Sequence, residues 1–161
     1  MFYKSKIISA ERAKTLVNKW KKDGKKIVFT NGCFDILHRG HIDYLNKASK
    51  LGTKLIVAVN SDNSVKKLKG KNRPIQDEIS RSEILASLEC TDVVIIFEED
   101  TPYELIKNLE PDILVKGSDY KTEQIAGYEI IKQTGGKVVL IDLLEGYSTS
   151  NIEKKIKESN Q

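Results

Sequence analysis

The sequence predicts an α/β fold: a doubly wound, mainly parallel, five-stranded Rossmann-like sheet with helices on both faces. Short apolar runs rich in Val and Ile alternate along the chain with longer amphipathic stretches. Each run is apolar at successive positions, which is typical of strands buried on both faces. The length of 161 residues suits one core, so we expect a single domain over 1–161, with its core at about 26–157.

The apolar runs predict the strands in chain order, at 26–30, 54–60, 92–97, 112–117 and 137–142. Helical periodicity precedes the first run and separates the others, which predicts helices at 9–22, 41–51, 77–89, 101–109, 122–134 and 149–158. Thr101 is expected to be an N-cap in a capping box with Glu104, with Pro102 at the first helical position. Gly135 or Gly136 should end the helix before the last strand, and 66–77 should be a long polar, basic loop.

Composition excludes several classes of protein. The 27 Lys and Arg exceed the 23 Asp and Glu by only four and are spread along the chain, so we expect no nucleic-acid partner. Cys33 and Cys90 lack metal-ligand spacing, which predicts free thiols in a reducing compartment. No stretch approaches the ~20 apolar residues of a membrane span, and no signal-peptide pattern opens the chain. We therefore expect a cytoplasmic protein with no membrane association.

The stretch "TNGCFDILHRGHIDYL" (30–45) holds both histidines of the chain, His38 and His41. It follows the first predicted strand, and open parallel sheets bind ligands beyond the carboxyl ends of their strands. The next helix is expected to begin near Gly40 or His41, where unpaired amides and the helix dipole attract phosphate. The same field disfavours a charged imidazole, so we expect neutral histidines that donate N–H bonds to phosphate. The alternative is a packed turn residue followed by a solvated one.

"GCFDILHRGH" resembles the signature of the cytidylyltransferase-like nucleotidyltransferase superfamily, with its Phe-Asp pair and its two histidines. "EGYSTSNI" (145–152) is similar to the motif that opens that family's last helix, and "KKLKGKNRP" is similar to its basic loop. The resemblance covers about 26–157. It implies that a nucleoside triphosphate binds with its phosphates at the histidines. The nucleotidyl group would then pass to a phosphorylated acceptor, with release of pyrophosphate.

Longer strings, among them "LIVAVNSD" and "PDILVKGSDY", resemble one branch of the superfamily, the adenylyltransferase domain of the bacterial ADP-heptose pathway. This implies transfer of AMP from ATP to D-glycero-β-D-manno-heptose 1-phosphate, a sugar 1-phosphate, for lipopolysaccharide core or related heptose glycans. In many bacteria that domain is fused to a heptose 7-phosphate kinase. A kinase does not fit within 161 residues, so we expect a stand-alone form and a separate kinase. The resemblance also implies a homodimer.

Two departures bear on the substrate. Leu143 stands where glycerol-3-phosphate cytidylyltransferases carry an arginine, and Ser150 replaces a second threonine of the last motif. Leu143 disfavours a CTP-dependent enzyme acting on a polyol phosphate, which stays an alternative. A non-catalytic nucleotide-binding regulatory module is an alternative of another class.

The resemblance also implies roles for individual residues. Those at the reacting phosphates, the catalytic set, would be His38, His41, Lys69 and Arg81. Those binding the nucleotide would be Asn31, Gly32, Cys33, Phe34, Gly40, Lys116, Gly117, Asp119, Ser148 and Thr149. Acceptor-binding candidates are Asp35, Lys66 and Lys67. Mg²⁺ is expected as the cofactor, held mainly by phosphates rather than by protein ligands.

Structural alternatives accompany several of these roles. Arg81 could form a surface salt bridge, Asp35 could orient its loop, and Cys33 could be a packing residue. Ser148 and Thr149 could serve as helix caps, which is compatible with phosphate binding. The lysines could face solvent, and 116–119 could be a simple turn.

Overall fold

The computed structural model describes residues 3–159. Its single sheet holds five strands: β1 Ile27–Gly32, β2 Lys54–Asn60, β3 Val93–Phe97, β4 Ile113–Gly117 and β5 Lys137–Ile141. Their order is β3-β2-β1-β4-β5, and each neighbouring pair is parallel. The predicted α/β fold is confirmed. From β1 the chain proceeds through β2 to β3 at one edge of the sheet. It then returns to β4, beside β1, and continues to β5 at the other edge.

The helices lie between the strands and around them: α1 Ala10–Lys22, α2 Arg39–Ser49, α3 Asp62–Lys69, α4 Glu78–Ser87, α5 Tyr103–Leu109, α6 Tyr128–Gln133 and α7 Thr149–Ser159. Two short 3₁₀ turns occupy Tyr3–Lys6 and Thr122–Gln124. Five of these helices start at a side chain that accepts an amide hydrogen of the first turn, namely Ser9, His38, Ser61, Asp77 and Ser148. No helix within 3–159 combines the length and apolar character needed to cross a membrane.

Helices cover both faces of the sheet, as predicted. Side chains alternate along β1, so Phe29 packs with α1, α5 and α6, whereas Val28 packs with α2 and α4. Helix α7 is different, because none of its residues is buried. The first six helices are therefore parts of two packed layers, and the last lies on the surface.

Helix 122–134 was predicted as continuous, which is wrong. The segment is a 3₁₀ turn at Thr122–Gln124 followed by α6, and Gly127 between them has φ +89°. A Cβ at Gly127 would lie 2.8 Å from two carbon atoms of Ile106. The chain turns there because only glycine permits both that dihedral and that approach. The predicted end is confirmed, since Gly135 follows α6 with φ +76°.

Two local predictions fail near helix ends. The capping box at Thr101 is wrong: Pro102 is the N-cap of α5, because its carbonyl accepts the first helical bond, from Ile106. With no hydroxyl at that position, no side chain caps the helix. The loop predicted at 66–77 begins later, after α3, whose start is capped by Ser61 and whose Val65 is buried.

Candidate active site

A cavity of about 370 Å³ lies at the carboxyl ends of β1 and β4. These strands are adjacent, and the strand order reverses between them, which is where doubly wound sheets bind ligands. Most of the predicted site residues line this cavity: Asn31, Gly32, Cys33, Phe34, Asp35, His38, Gly40, His41, Lys69, Lys116, Gly117, Asp119, Ser148 and Thr149. Arg81, Lys66 and Lys67 do not.

The two histidines form a stacked pair at the start of α2. Their ring centroids are 3.8 Å apart with an interplanar angle of 26°. His38 is the N-cap, and its Nδ1 accepts the amide hydrogen of Gly40 at 3.1 Å. Because Nδ1 is an acceptor, a neutral His38 carries its proton on Nε2 and can donate it to a ligand.

Burial keeps both histidines neutral. Desolvation lowers the pKa of His41 to about 4, with the nearby His38 and Lys69 as smaller contributions in the same direction. Desolvation also lowers the pKa of His38. At pH 7 the pair therefore consists of hydrogen-bond donors without formal charge, as the helix-dipole argument predicts.

Gly40 lets three parts of the site approach one another. A Cβ at this position would lie 3.0 Å from the His38 ring and 3.2 Å from Cβ of Tyr147. Any side chain would push on the histidine or on the segment that leads into α7. The glycine between the histidines is thus required by packing.

The turn between β1 and α2 folds back on itself at Phe34, a non-glycine residue with φ +47°. Its ring lies 3.1 Å from where a Cβ of Gly32 would be and packs edge-on to His41, with centroids 5.3 Å apart. Unusual backbone conformations of this kind persist where the surroundings fix them, often at functional sites. Here Phe34 forms a wall that orients the His41 ring.

Two lysines bring positive charge to the cavity. Lys69 ends α3 and is exposed. Lys116 is the second-last residue of β4, is 9% exposed and donates from Nζ to the Asn31 carbonyl at 3.3 Å. Desolvation lowers the pKa of Lys116 to about 8, which leaves most of it charged at pH 7. The Asn31 side-chain oxygen is buried and has no hydrogen-bond partner in the described residues. It is therefore a hydrogen-bond acceptor in the cavity lining that is still free.

The start of α7 forms another part of the cavity wall. The Oγ of Ser148 accepts the Asn151 amide at 3.1 Å, and its carbonyl accepts the Ile152 amide at 3.2 Å. Ser148 is therefore a helix cap, and its hydroxyl hydrogen stays available to a ligand. Two helix N-termini, of α2 and α7, thus meet at one cavity.

Arg81 does not reach this cavity. Its side chain is fully buried, and its three nitrogens donate to the Gln76 carbonyl at 2.9 Å, the Cys33 carbonyl at 2.7 Å and Asp62 Oδ1 at 2.8 Å. The salt bridge considered above does form, with Asp62, but Arg81 is not a surface residue: its side chain is buried, whereas that of Asp62 is 31% exposed. Arg81 supports the β1–α2 turn from behind, and its contact with phosphate stays a prediction.

Asp35 orients a loop, as the structural alternative for it predicted. It is 2% exposed and accepts the amides of Ile75 and Gln76 at 2.8 and 2.9 Å and Nε of Arg73 at 2.6 Å. Burial alone would raise its pKa, but these hydrogen bonds outweigh burial and hold the pKa below its usual value. With both oxygens engaged, Asp35 has no free acceptor for a sugar hydroxyl.

Cys33 fits its structural alternative too, since burial raises the pKa of its thiol and makes it a poor nucleophile. Lys66 and Lys67 lie outside the cavity on an exposed face of α3. Lys67 makes an exposed ion pair with Asp100 at 3.6 Å. Their contact with the acceptor stays a prediction.

Five residues line the cavity that were not among the predicted site residues: Tyr44, Tyr120, Leu143, Leu144 and Tyr147. Tyr44 lies three residues after His41, on the same side of α2, and its hydroxyl is 2.8 Å from Thr30 Oγ1. Tyr120 places its ring 5.2 Å from Lys116 Nζ. Helical spacing could have indicated Tyr44, whereas the others lie in loops whose paths the sequence does not specify.

The side chains that line the cavity are compatible with a Mg²⁺ ion whose ligands come mainly from phosphates. Among residues 3–159, no three His, Cys, Asp or Glu side chains are grouped so that they could hold a metal ion. The cavity carboxylates are Asp35, which is saturated, and Asp119, which is exposed. At most one protein carboxylate is therefore free to help a phosphate-bound ion.

The fold and this cavity define a nucleotidyltransferase. Residues 29–155 match the family model described as Cytidylyltransferase-like, and the chain belongs to that family. The family predicted from "GCFDILHRGH" is thereby confirmed.

Curated relatives match nearly the whole chain. Bifunctional protein HldE of a Nitratiruptor species is 60% identical over 136 residues, which are 84% of this chain and 29% of the relative. Bifunctional protein HldE of Helicobacter hepaticus is 54% identical over 158 residues, 98% of this chain and 32% of the relative. The chain spans about three tenths of the length of these relatives.

Solved structures share the fold. The lipopolysaccharide core biosynthesis protein from Thermoplasma volcanium superposes with a TM-score of 0.62 at 34% identity, covering 78% of this chain and 100% of that one. A pantoate-beta-alanine ligase from Francisella tularensis gives a TM-score of 0.56 at 18% identity, covering 96% of this chain and 78% of that one. The second likeness concerns the fold alone.

Proposed function

We propose that the protein transfers AMP from ATP to D-glycero-β-D-manno-heptose 1-phosphate, forming ADP-heptose and pyrophosphate for lipopolysaccharide core or related heptose glycans. The observation that carries the reaction type is the single cavity in which two neutral histidines at one helix N-terminus face a second helix N-terminus. Such donors suit a triphosphate, because they bind its oxygens through several oriented N–H and O–H groups.

The reaction needs positioning and charge stabilisation more than proton transfer. The acceptor phosphate is largely dianionic at pH 7, since its second pKa is about 6. One of its oxygens forms a bond to the α-phosphorus of ATP. The bond from that phosphorus to the bridging oxygen breaks, and the electron pair leaves with pyrophosphate. No catalytic base and no covalent enzyme intermediate take part.

The residues divide this work along the triphosphate. His38 and His41 donate to the α- and β-phosphates, where charge develops in the transition state. Ser148, Thr149 and the free amides of α7 hold the β- and γ-phosphates. Lys69 and Lys116, which both line the cavity, neutralise negative charge on the phosphates. Mg²⁺ bound to the phosphates would further neutralise the charge of the leaving pyrophosphate.

Three observations support the heptose branch. The relatives called bifunctional protein HldE match this chain over one part of their length, as a fused adenylyltransferase domain would. The Thermoplasma volcanium protein is named for lipopolysaccharide core biosynthesis. Leu143, in place of the arginine of glycerol-3-phosphate cytidylyltransferases, lines the cavity and is 52% exposed. The homodimer and the separate kinase belong to the same proposal.

The direct test is pyrophosphate release by the purified protein with Mg²⁺ and heptose 1-phosphate, with ATP, CTP, GTP and UTP offered in parallel. We expect release with ATP alone and ADP-heptose as the co-product. Release with CTP and glycerol 3-phosphate would support the polyol phosphate reaction instead. Tight ATP binding without turnover on either acceptor would favour the regulatory module. A His41→Ala protein is the matched negative control.

A further inference from the structure

Helix α7 carries phosphate-binding groups at its start but is weakly attached to the domain. None of its residues is buried, and Ile156 is 53% exposed. Across the described part of the chain, one side-chain ion pair joins α7 to the rest of the domain. It is the pair between Glu153 and Arg73. Packing alone therefore does not fix the position of Ser148 and Thr149.

Arg73 is well placed to fix it. The residue lies in the loop that follows α3, its side chain is 15% exposed, and it does not line the cavity. Nη1 binds Glu153 Oε1, and Nε binds Asp35 Oδ2 at 2.6 Å. The planar guanidinium thus bridges two carboxylates with separate nitrogens, a geometry that a lysine ammonium does not reproduce.

The other end of this bridge is rigid. Asp35 follows Phe34 in the turn that leads to the histidines, its side chain is 1% exposed, and two loop amides also bind it. Glu153 lies one helical turn after Thr149 on α7. The chain Asp35–Arg73–Glu153 therefore connects the turn before α2 to the first turns of α7.

A second link runs parallel to the first. Arg39, between the two histidines, donates from Nη1 to the Tyr147 hydroxyl at 3.0 Å and lies 5.4 Å from the centre of its ring. This link joins the segment just before α7, whereas Arg73 joins the helix itself. The contact with Tyr147 is exposed, so Arg73 provides the better-buried of the two connections.

We infer that Arg73 is a positioning residue for nucleotidyl transfer, which holds the phosphate-binding start of α7 beside the histidine pair through Glu153 and Asp35. This inference rests on the proposed function. Arg73 contacts neither the nucleotide nor the acceptor. Its effect is geometric, and a displacement of about 1 Å in such a site costs on the order of 100-fold in rate.

The test compares Glu153→Gln and Arg73→Lys with Glu158→Gln. Glu158 lies on the same helix and, among residues 3–159, forms an ion pair with Lys154 alone, at 3.8 Å in an exposed i,i+4 contact, so it is a matched control. We expect kcat/KM for ATP to fall about 10- to 100-fold in Glu153→Gln and in Arg73→Lys. We expect Glu158→Gln to behave like the wild type. When Glu153→Gln and Arg73→Lys are combined, the losses in kcat/KM should not add, because both substitutions remove the same ion pair.

A readout independent of turnover separates positioning from general destabilisation. Amide hydrogen exchange in 149–159 should become faster in Glu153→Gln and Arg73→Lys, while exchange in α2 and the thermal midpoint stay unchanged in Glu153→Gln, which leaves the bond between Arg73 and Asp35 in place. This measurement needs no acceptor, so it holds even if the wild type releases no pyrophosphate and the proposed function fails.

Two results would overturn the inference. One is wild-type kcat/KM and wild-type exchange in Glu153→Gln. The other is a loss in Arg73→Lys that appears only in KM for the acceptor while Glu153→Gln stays normal, which would make Arg73 a substrate-binding residue.

Discussion

The two helix N-termini at the cavity are built in opposite ways. Helix α2 buries Gly40, Tyr44, Leu45 and Ala48 against the sheet, whereas α7 buries no residue. The histidine donors of α2 are therefore held by the core itself, and the hydroxyl donors of α7 are held by two arginine contacts. Donors fixed by the core need no reorganisation as charge develops, which makes them the better catalysts. Donors on a surface helix are better suited to admit and release a large ligand.

Replacing His41 by Ala should produce the largest effect, because it removes a donor that the core fixes in place. We expect kcat to fall by about 100- to 1,000-fold. ATP affinity should fall much less, since the other groups still bind the triphosphate. Steady-state kinetics and calorimetry with ATP measure the two quantities. An equal loss in both would mean that His41 binds the ground state as strongly as the transition state.

Gly40→Ala probes the contact between the two helix ends. The added methyl group would lie 3.0 Å from the His38 ring and 3.2 Å from Cβ of Tyr147, so both must shift by a few tenths of an ångström. We expect kcat/KM to fall by roughly 10- to 100-fold with both helices still formed. Kinetics with a circular dichroism control checks this. Unchanged activity would show that the cavity tolerates more movement than its packing indicates.

Ser148→Ala should affect the α7 side alone. It removes the cap to the Asn151 amide and a hydroxyl donor to the phosphates. We expect about a tenfold rise in KM for ATP and a smaller change in kcat, because one cap is typically worth ~1 kcal/mol. Ser148→Thr keeps the hydroxyl and should recover most of the affinity. If kcat falls as far as in His41→Ala, the two helix ends do not differ in the way proposed.

The same contrast explains what the sequence could predict. The strands and most of the packed helices follow from apolar periodicity, so β1 to β5 and α2 fall close to their predicted positions, whereas α3 was not predicted. The histidine pair was found because strand, turn and helix are local in sequence. Arg73 carries no such signal, because its partners Asp35 and Glu153 lie 38 and 80 residues away.

Two features could not be predicted from the sequence because contacts between distant residues determine them. Gly127 interrupts a helical pattern because Ile106, on another helix, leaves no room for a side chain. Arg81 lies outside the cavity lining, and no local pattern indicates that its guanidinium is engaged by Gln76, Cys33 and Asp62. Tertiary contacts decide both cases, and a single sequence does not contain them in readable form.

The smallest expected effect concerns pH and again separates the core from the surface. Lys116 is held by β4, and desolvation lowers its pKa to about 8, so its ammonium is lost as the pH rises through 8. If that charge binds phosphate, kcat/KM for ATP should be nearly level around pH 7 and fall about fourfold by pH 8.5, as one ionisation requires. Lys116→Met should have a lower plateau without this decline. His41 contributes no change in this range, since its pKa of about 4 keeps it neutral throughout. A wild-type profile that stays level to pH 9 would mean that the Lys116 charge is not used, leaving Lys69, on the exposed end of α3, as the cation at the phosphates.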